Sequence, residues 1–322
     1  MKDFVVYSYL LDGNGGAATL DEAGLKSWTP EQGVLWLHLN YDKPDVAEFL
    51  EQECGLDEIT VAALTAGETR PRATAHAGGV LMALRGVNMN PNADPEDMVS
   101  IRLFATPQRI ISTRKRRLLS VDDLVNGLQQ NAGPASSAEF ISLLCDRLVR
   151  RMSGLVMDLE EHLDTLEESL MNLPRNKLRS ELSDVRRQCI SLRRYLAPQR
   201  EALSWFVSER LAWFGDIERA QVRETGDQLA QKIETLDSIR DRAGVAQEEL
   251  VNQISEESNN RMYLLSIVSA IFLPLGFATG VLGVNVGGIP GADNADAFAI
   301  FVLGMAVIAG AMLAWFRYKK WV

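Results

Sequence analysis

The chain has 322 residues, with 43 acidic against 33 basic side chains and a net charge of −10. That balance argues against a nucleic-acid-coating surface, which needs clustered Lys and Arg. Three cysteines, Cys54, Cys145 and Cys189, with no close pair among them, argue against a disulfide-framed scaffold and fit a reducing compartment.

The opening residues hold only a short apolar stretch, broken by Asp12 and glycines, so no secretory signal is read there and the N-terminal body is expected in the cytoplasm. Up to about residue 117, short β-rich runs alternate with helical ones. Strands are expected at Phe4–Leu10, Val34–Leu39, Gly79–Val87, Ser100–Phe104 and Arg109–Thr113. Helices are expected at Pro44–Glu53, Asp57–Thr65 and Val121–Gln130. This describes a small α/β domain. Gly13-Asn14-Gly15-Gly16 lacks the Lys-Ser/Thr of a phosphate loop and reads as a turn. Arg114-Lys115-Arg116-Arg117 reads as a solvated strand end.

From Ala138 the pattern is helical. One helix is expected over Ala138–Asn172 and a second over Arg175–Trp213, interrupted or bent at Pro198. A third is expected to run without a break from Asp216 to Leu282, with a heptad seam at Val222, Leu229, Leu236, Ala243 and Leu250. Sixty-seven residues at 1.5 Å each make about 100 Å. A helix of that length is expected to pack against the two preceding helices and against copies of itself.

Met262–Leu282 and Ala297–Phe316 carry no charge, and each is long enough to cross a bilayer core about 30 Å thick. Arg261 precedes the first run, and Arg317, Lys319 and Lys320 follow the second. The linker between them holds Asp293 and Asp296 but no basic residue. By the positive-inside rule both termini are expected to be cytoplasmic and the linker outside. The −10 charge sits in the body: residues 262–322 carry three basic and two acidic side chains.

Within the first run the slim or polar residues recur at steps of three or four. Asn259, Met262, Ser266, Ser269, Leu273, Gly276 and Gly280 fall on one helix face that leads toward Asn285. Two readings of this stripe stay open. Small residues let membrane helices pack closely, and Gly276-Phe277-Ala278-Thr279-Gly280 is a GxxxG pattern. Equally, slim side chains can line a pore for a hydrated ion.

The segment from Glu256 to Val322 resembles the CorA-type metal-ion transporters. The residues that carry the likeness are Asn259, Met262, Phe272-Leu273-Pro274-Leu275, Gly283-x-Asn285 and Lys319-Lys320-Trp321. Gly283-Val284-Asn285 departs from the Gly-Met-Asn form of the magnesium branch and is similar to the ZntB branch, as are Val286–Gly291 and Glu68-Thr69-Arg70-Pro71-Arg72. Gly291 stands where the magnesium branch usually has an acidic residue. The resemblance implies an α+β membrane protein: a cytoplasmic α/β domain, a long helical stalk and two C-terminal transmembrane helices, assembled as a funnel-shaped homopentamer in the bacterial inner membrane. It implies residues 1–135 as the α/β domain, 136–261 as helical region and stalk, 262–282 and 297–316 as spans, 283–296 as outer loop and 317–322 as basic tail.

Carried over, the resemblance implies a pore lined by the first span, with Gly283, Val284 and Asn285 at the outer mouth. There, amide oxygens can accept hydrogen bonds from an ion's waters. Asn259 would form a polar ring at the inner end, and Met262 and Leu273 apolar constrictions. Asp293 and Asp296 would attract cations outside, while Glu248, Glu249, Glu256 and Glu257 either do so inside or form a solvated helix face. Zinc is the implied cargo, with cobalt, nickel, cadmium and magnesium as further ions. No dedicated zinc cage is visible, since His38, His76 and His162 are far apart in sequence and each reads as an ordinary surface or core residue. No cofactor is expected. Without a phosphate loop or a paired catalytic constellation, neither ATP hydrolysis nor another enzymatic activity is expected.

An inside-negative potential contributes about 4.6 kcal/mol per 100 mV to a divalent ion moving inward, so influx is the favoured direction. Proton stimulation and efflux stay open. The competing readings are a magnesium and cobalt channel of the same family and a body merely tethered by its hairpin.

Overall fold

The computed structural model describes residues 2–171, 174–283 and 294–319. Val284, Asn285, the loop through Asp293, and Lys320-Trp321 lie outside the described residues. The chain divides into two compact units, Met1–Gln247 and Glu248–Val322.

The first unit is built on a seven-stranded sheet of order β2-β1-β3-β7-β6-β5-β4. Its strands are β1 (Val5–Leu11), β2 (Ala17–Thr19), β3 (Leu35–Asn40), β4 (Arg72–His76), β5 (Gly79–Gly86), β6 (Val99–Ala105) and β7 (Arg109–Arg114). The five strands expected from the sequence are present within a residue or two at each end. β2 and β4 are additional. Only β3 and β7 pair in parallel; the other neighbours are antiparallel.

The period of two along β3 sorts its side chains. Leu35, Leu37 and Leu39 join Phe4, Val46, Phe49, Leu50, Leu64, Phe104 and Ile111 in one core layer. The intervening Trp36 meets Phe140 edge-on at 4.8 Å. The first layer is closed by α1 (Glu22–Ser27), α2 (Val46–Glu48) with the π-helical turn Phe49–Glu53, and α3 (Glu58–Thr65). The second face is covered by α4 (Leu119–Gln129), α5 (Ser137–Glu168) and α6 (Arg175–Ser208). The Gly13–Gly16 segment is a turn, with Gly13 and Gly15 at positive φ and the Asp12 carboxylate accepting from the Asn14 and Gly16 amides. In the basic run, Lys115, Arg116 and Arg117 pair with Asp42, Asp97 and Asp122.

Ser136 caps α5, its hydroxyl accepting from the Glu139 amide at 3.1 Å. Of the two readings at Pro198, interruption is corrected: α6 runs through the proline, with Leu196, Gln199, Ala202 and Leu203 buried on both sides of it. The expected end of α6 is corrected as well. The helix ends at Ser208 instead of Trp213. There the Arg219 guanidinium donates to the Phe206, Val207 and Glu209 carbonyls, satisfying groups that a helix end leaves open.

α7 (Asp216–Leu282) is one helix, as expected. Its seam residues Val222, Leu229, Leu236, Ala243 and Leu250 are all buried. Polar bonds join this stretch to α5 and α6: Arg242 to Asp164 and Glu167, Asp237 to Arg193, and Gln247 to Arg186 and Ser183. Past Leu250 the burial ceases; Val251 and Ile254 are exposed. α8 (Ala297–Tyr318) completes the second unit, two residues longer than expected. The second half of α7 and all of α8 are long and apolar enough to cross a membrane.

Candidate functional site

From Met262 to Gly283 the backbone is helical up to its last turn and carries no ionisable side chain except Tyr263. Heptad spacing on a straight helix places Asn259, Met262, Ser266, Ser269, Leu273, Gly276 and Gly280 along one face. Met262 to Gly280 covers about 27 Å at 1.5 Å per residue. All seven are exposed within the chain, Met262 at 58% and Leu273 at 78%. A Cβ placed on Gly276 or Gly280 would meet no atom within 4 Å.

Two hydroxyls of this span, Ser266 on the face and Thr279 beside it, are bonded back to their own helix. The Ser266 hydroxyl donates back to the Met262 carbonyl at 2.9 Å, and Thr279 donates to the Gly276 carbonyl at 2.9 Å. With their protons directed into the helix, the oxygens present lone pairs outward. Pro274 lies inside the helix and has no N–H, so the Ala270 carbonyl lacks its intrahelical donor. Lone pairs and free carbonyls attract the hydrogens of a cation's hydration shell without fixing the ion as a carboxylate would.

Of the proposed mouth residues, Gly283 closes the described part of the helix, its amide donating to the Thr279 carbonyl at 2.8 Å. Val284, Asn285 and Asp293 lie outside the described residues. Asp296 sits just ahead of α8, its amide held by the Asn294 side chain at 3.0 Å. At the other end of the stripe Glu248, Glu249 and Glu256 are exposed, and Glu257 pairs with Arg261.

The histidines and cysteines are separated. His76 contacts the Asp57 carboxylate at 3.0 Å, and His162 contacts Glu181 at 3.3 Å. The Asp57 carboxyl is held well below the usual range, first by its bond from the Thr60 hydroxyl and then by His76. Among the described residues, no three His, Cys, Asp or Glu side chains are grouped to hold a metal ion.

His38 is a core residue of the sheet. It is fully buried, stacked on Tyr7, with Nδ1 at 2.8 Å from the Ser112 hydroxyl. Burial, and to a lesser extent Arg114, lowers its pKa to about 3. The unfolded imidazole binds a proton below about pH 6.5 and the folded one does not until about pH 3, so stability falls as pH drops through that window. The slope for one such group is about 1.4 kcal/mol per pH unit. Replacing His38 by Phe is expected to flatten the acid limb of the melting temperature plotted against pH, and an unchanged limb would show that other groups set it.

The family profile described as "CorA-like Mg2+ transporter protein" matches residues 31–320. The zinc transport protein ZntB of Yersinia enterocolitica is 36% identical over 317 residues, covering 98% of this chain and 96% of that protein. The divalent cation transporter CmaX of Pseudomonas aeruginosa is 37% identical over 322 residues, covering 99% and 97%. The solved structure of full-length CmaX superposes with a TM-score of 0.86 at 36% identity, covering 100% of this chain and 99% of that one.

Proposed function

The chain belongs to the CorA-like family of metal-ion transporters, and from that premise we propose that it moves divalent cations, zinc foremost, across the bacterial inner membrane through a homopentameric pore. The family consists of transporters, not enzymes, and its divalent cations are cargo. The observation that supports the reading is the stripe of slim and polar residues from Asn259 to Gly280, exposed within the chain and followed in sequence by Gly283-Val284-Asn285. A tether needs neither the stripe nor the polar sequence that follows it.

In this reading the first span of each copy contributes one wall of the pore. Asn285 forms the outer ring of amide oxygens, Ser266 and Ser269 a polar middle, and Asn259 the inner ring. Met262 and Leu273 are the apolar constrictions, able to gate by dewetting. Asp293 and Asp296 raise the cation concentration at the mouth through a screened field. Residues 1–261 and the tail from 317 are cytoplasmic, following the basic residues that flank the spans. The purified protein is expected to have a mass in detergent near five times 35.7 kDa; a stable monomer would remove the pore.

Zinc as cargo is supported by the ZntB relative and by the Gly-Val-Asn sequence. The family description names magnesium, and it supports the second reading, a magnesium and cobalt channel. Ion flux into liposomes containing the pure protein separates them. Zinc is expected to enter faster than magnesium, without ATP, and faster with an inside-negative potential. Neither span carries a side chain suited to proton relay, so an imposed pH gradient at zero potential is expected to change the rate modestly. Faster magnesium than zinc entry would favour the second reading. Strict dependence on the pH gradient would place a coupling site among the carboxylates outside the spans.

A further inference from the structure

The body contains a cavity of about 520 Å³ to which, among the described residues, none of α5–α8 contributes. Its volume lies in the range of sites for small organic molecules. Leu35, Leu37 and Phe49 form apolar walls, and Trp28 adds an indole face pinned by its Nε1–H bond to the Gly33 carbonyl at 3.2 Å. The charged groups around it are nearly balanced. Lys2 pairs with Glu53, and Lys26 with Glu22 at 3.3 Å. Among the described lining side chains, the cation left over from these pairs is Arg109. Its Nη1 donates to the Cys54 carbonyl at 2.6 Å, and among the described residues no carboxylate lies within ion-pair distance of it.

A half-buried guanidinium bonded to one carbonyl keeps further N–H groups for a ligand, in a planar fork that matches a carboxylate. A carboxylate presents two coplanar oxygens to that fork with a single charge, whereas a phosphate monoester would bring a second negative charge beside Glu22 and Glu53. The apolar walls require a body with little polar surface.

We propose that this cavity binds a small organic monocarboxylate, its carboxylate on Arg109 and its aromatic or short aliphatic body against Trp28 and Phe49. It is a ligand site in the body, chemically distinct from any path for a metal cation.

Cys54 lines the same cavity and reports on it, whereas Cys145 and Cys189 are fully buried. Burial pushes the Cys54 thiol up to about 11, so alkylation is slow and best followed near about pH 9. The test uses the full-length protein in detergent, iodoacetamide, and mass spectrometry of the Cys54 peptide. The probes are 3-phenylpropionate and its uncharged amide. The acid is expected to slow alkylation about fivefold, the protection that about 80% occupancy gives, while the amide protects little. Arg109→Gln is expected to abolish the protection and Arg109→Lys to retain part of it. Equal protection by acid and amide, or by neither, overturns the proposal. So does displacement of the acid by inorganic phosphate at equal concentration. The acid–amide comparison on the unaltered protein decides the matter even where Arg109→Gln fails to fold.

Discussion

Zinc flux in proteoliposomes carrying Asn285→Ala is expected to fall tenfold or more, about 1.4 kcal/mol or more in barrier height, with the mass of the oligomer unchanged. An ion entering a narrow pore from water must keep or replace the hydrogen bonds of its hydration shell. A symmetric ring of amide oxygens offers acceptors at that step, and alanine offers none. Position 285 lies thirty-five residues past the buried seam Val222–Leu250 in sequence, and none of the residues that bond α7 to α5 and α6 is altered, so assembly is expected to survive. Asn285→Asp sharpens the test. A ring of carboxylates binds a divalent ion more tightly, so uptake should saturate at lower zinc with a reduced maximal rate. Unaltered flux in folded Asn285→Ala would turn the reading back to a hairpin that only tethers the body.

The stretches legible in the sequence are those where one physical requirement dominates. β3 and β7 are buried on both faces, and their apolar and β-branched runs say so directly. α7 is legible along its whole length because its heptad seam and its apolar segment join without a proline until Pro274. β4 was not legible: Arg72–His76 is mostly exposed, and its strand character comes from pairing with β5. β2 is three residues paired with the end of β1, and α1 buries no side chain, so neither carries a period to read. The end of α6 was misplaced because Arg219, eleven residues beyond it, satisfies its open carbonyls. Nothing local in Glu209–Trp213 signals that bond.

For the candidate pore the sequence supplied the residues, since heptad spacing on a straight helix fixes which share a face. The structure adds the Ser266 hydroxyl turned back onto its own helix, Thr279 likewise beside the stripe, and open space beside Gly276 and Gly280. The carboxylate cavity lay beyond sequence reasoning. Trp28, the turn that holds Phe49 and Cys54, and Arg109 are three separate parts of the chain, and the pairing of β3 with β7 brings Arg109 to the others.

Trp36→Ala is expected to cost about 3–5 kcal/mol of stability, the range for emptying a fully buried aromatic site, and to be the most damaging single truncation in the sheet. Trp36 is completely buried and meets Phe140 of α5 edge-on, so its removal opens a cavity between the sheet and the helices that cover it. It also breaks a closed polar arrangement. The Ser112 hydroxyl lies 2.9 Å from the Trp36 Nε1–H, 2.8 Å from His38 Nδ1 and 3.3 Å from the Leu37 carbonyl. One hydroxyl can accept twice and donate once, so all three are satisfied if His38 carries its proton on Nδ1 and Ser112 donates to Leu37. That tautomer leaves His38 Nε2 as the bare acceptor without a partner, a smaller penalty than a buried orphan N–H. Alanine at 36 leaves Ser112 one donor short as well as opening the cavity. Trp36→Phe separates the two contributions: it keeps most of the packing and loses the N–H, and should cost nearer 1–2 kcal/mol. The check is denaturant unfolding of the full-length protein in detergent, followed by the fluorescence of the other tryptophans. Equal costs for Phe and Ala at this position would mean that the hydrogen bond to Ser112, and not the packing of the ring on α5, carries the contribution of Trp36.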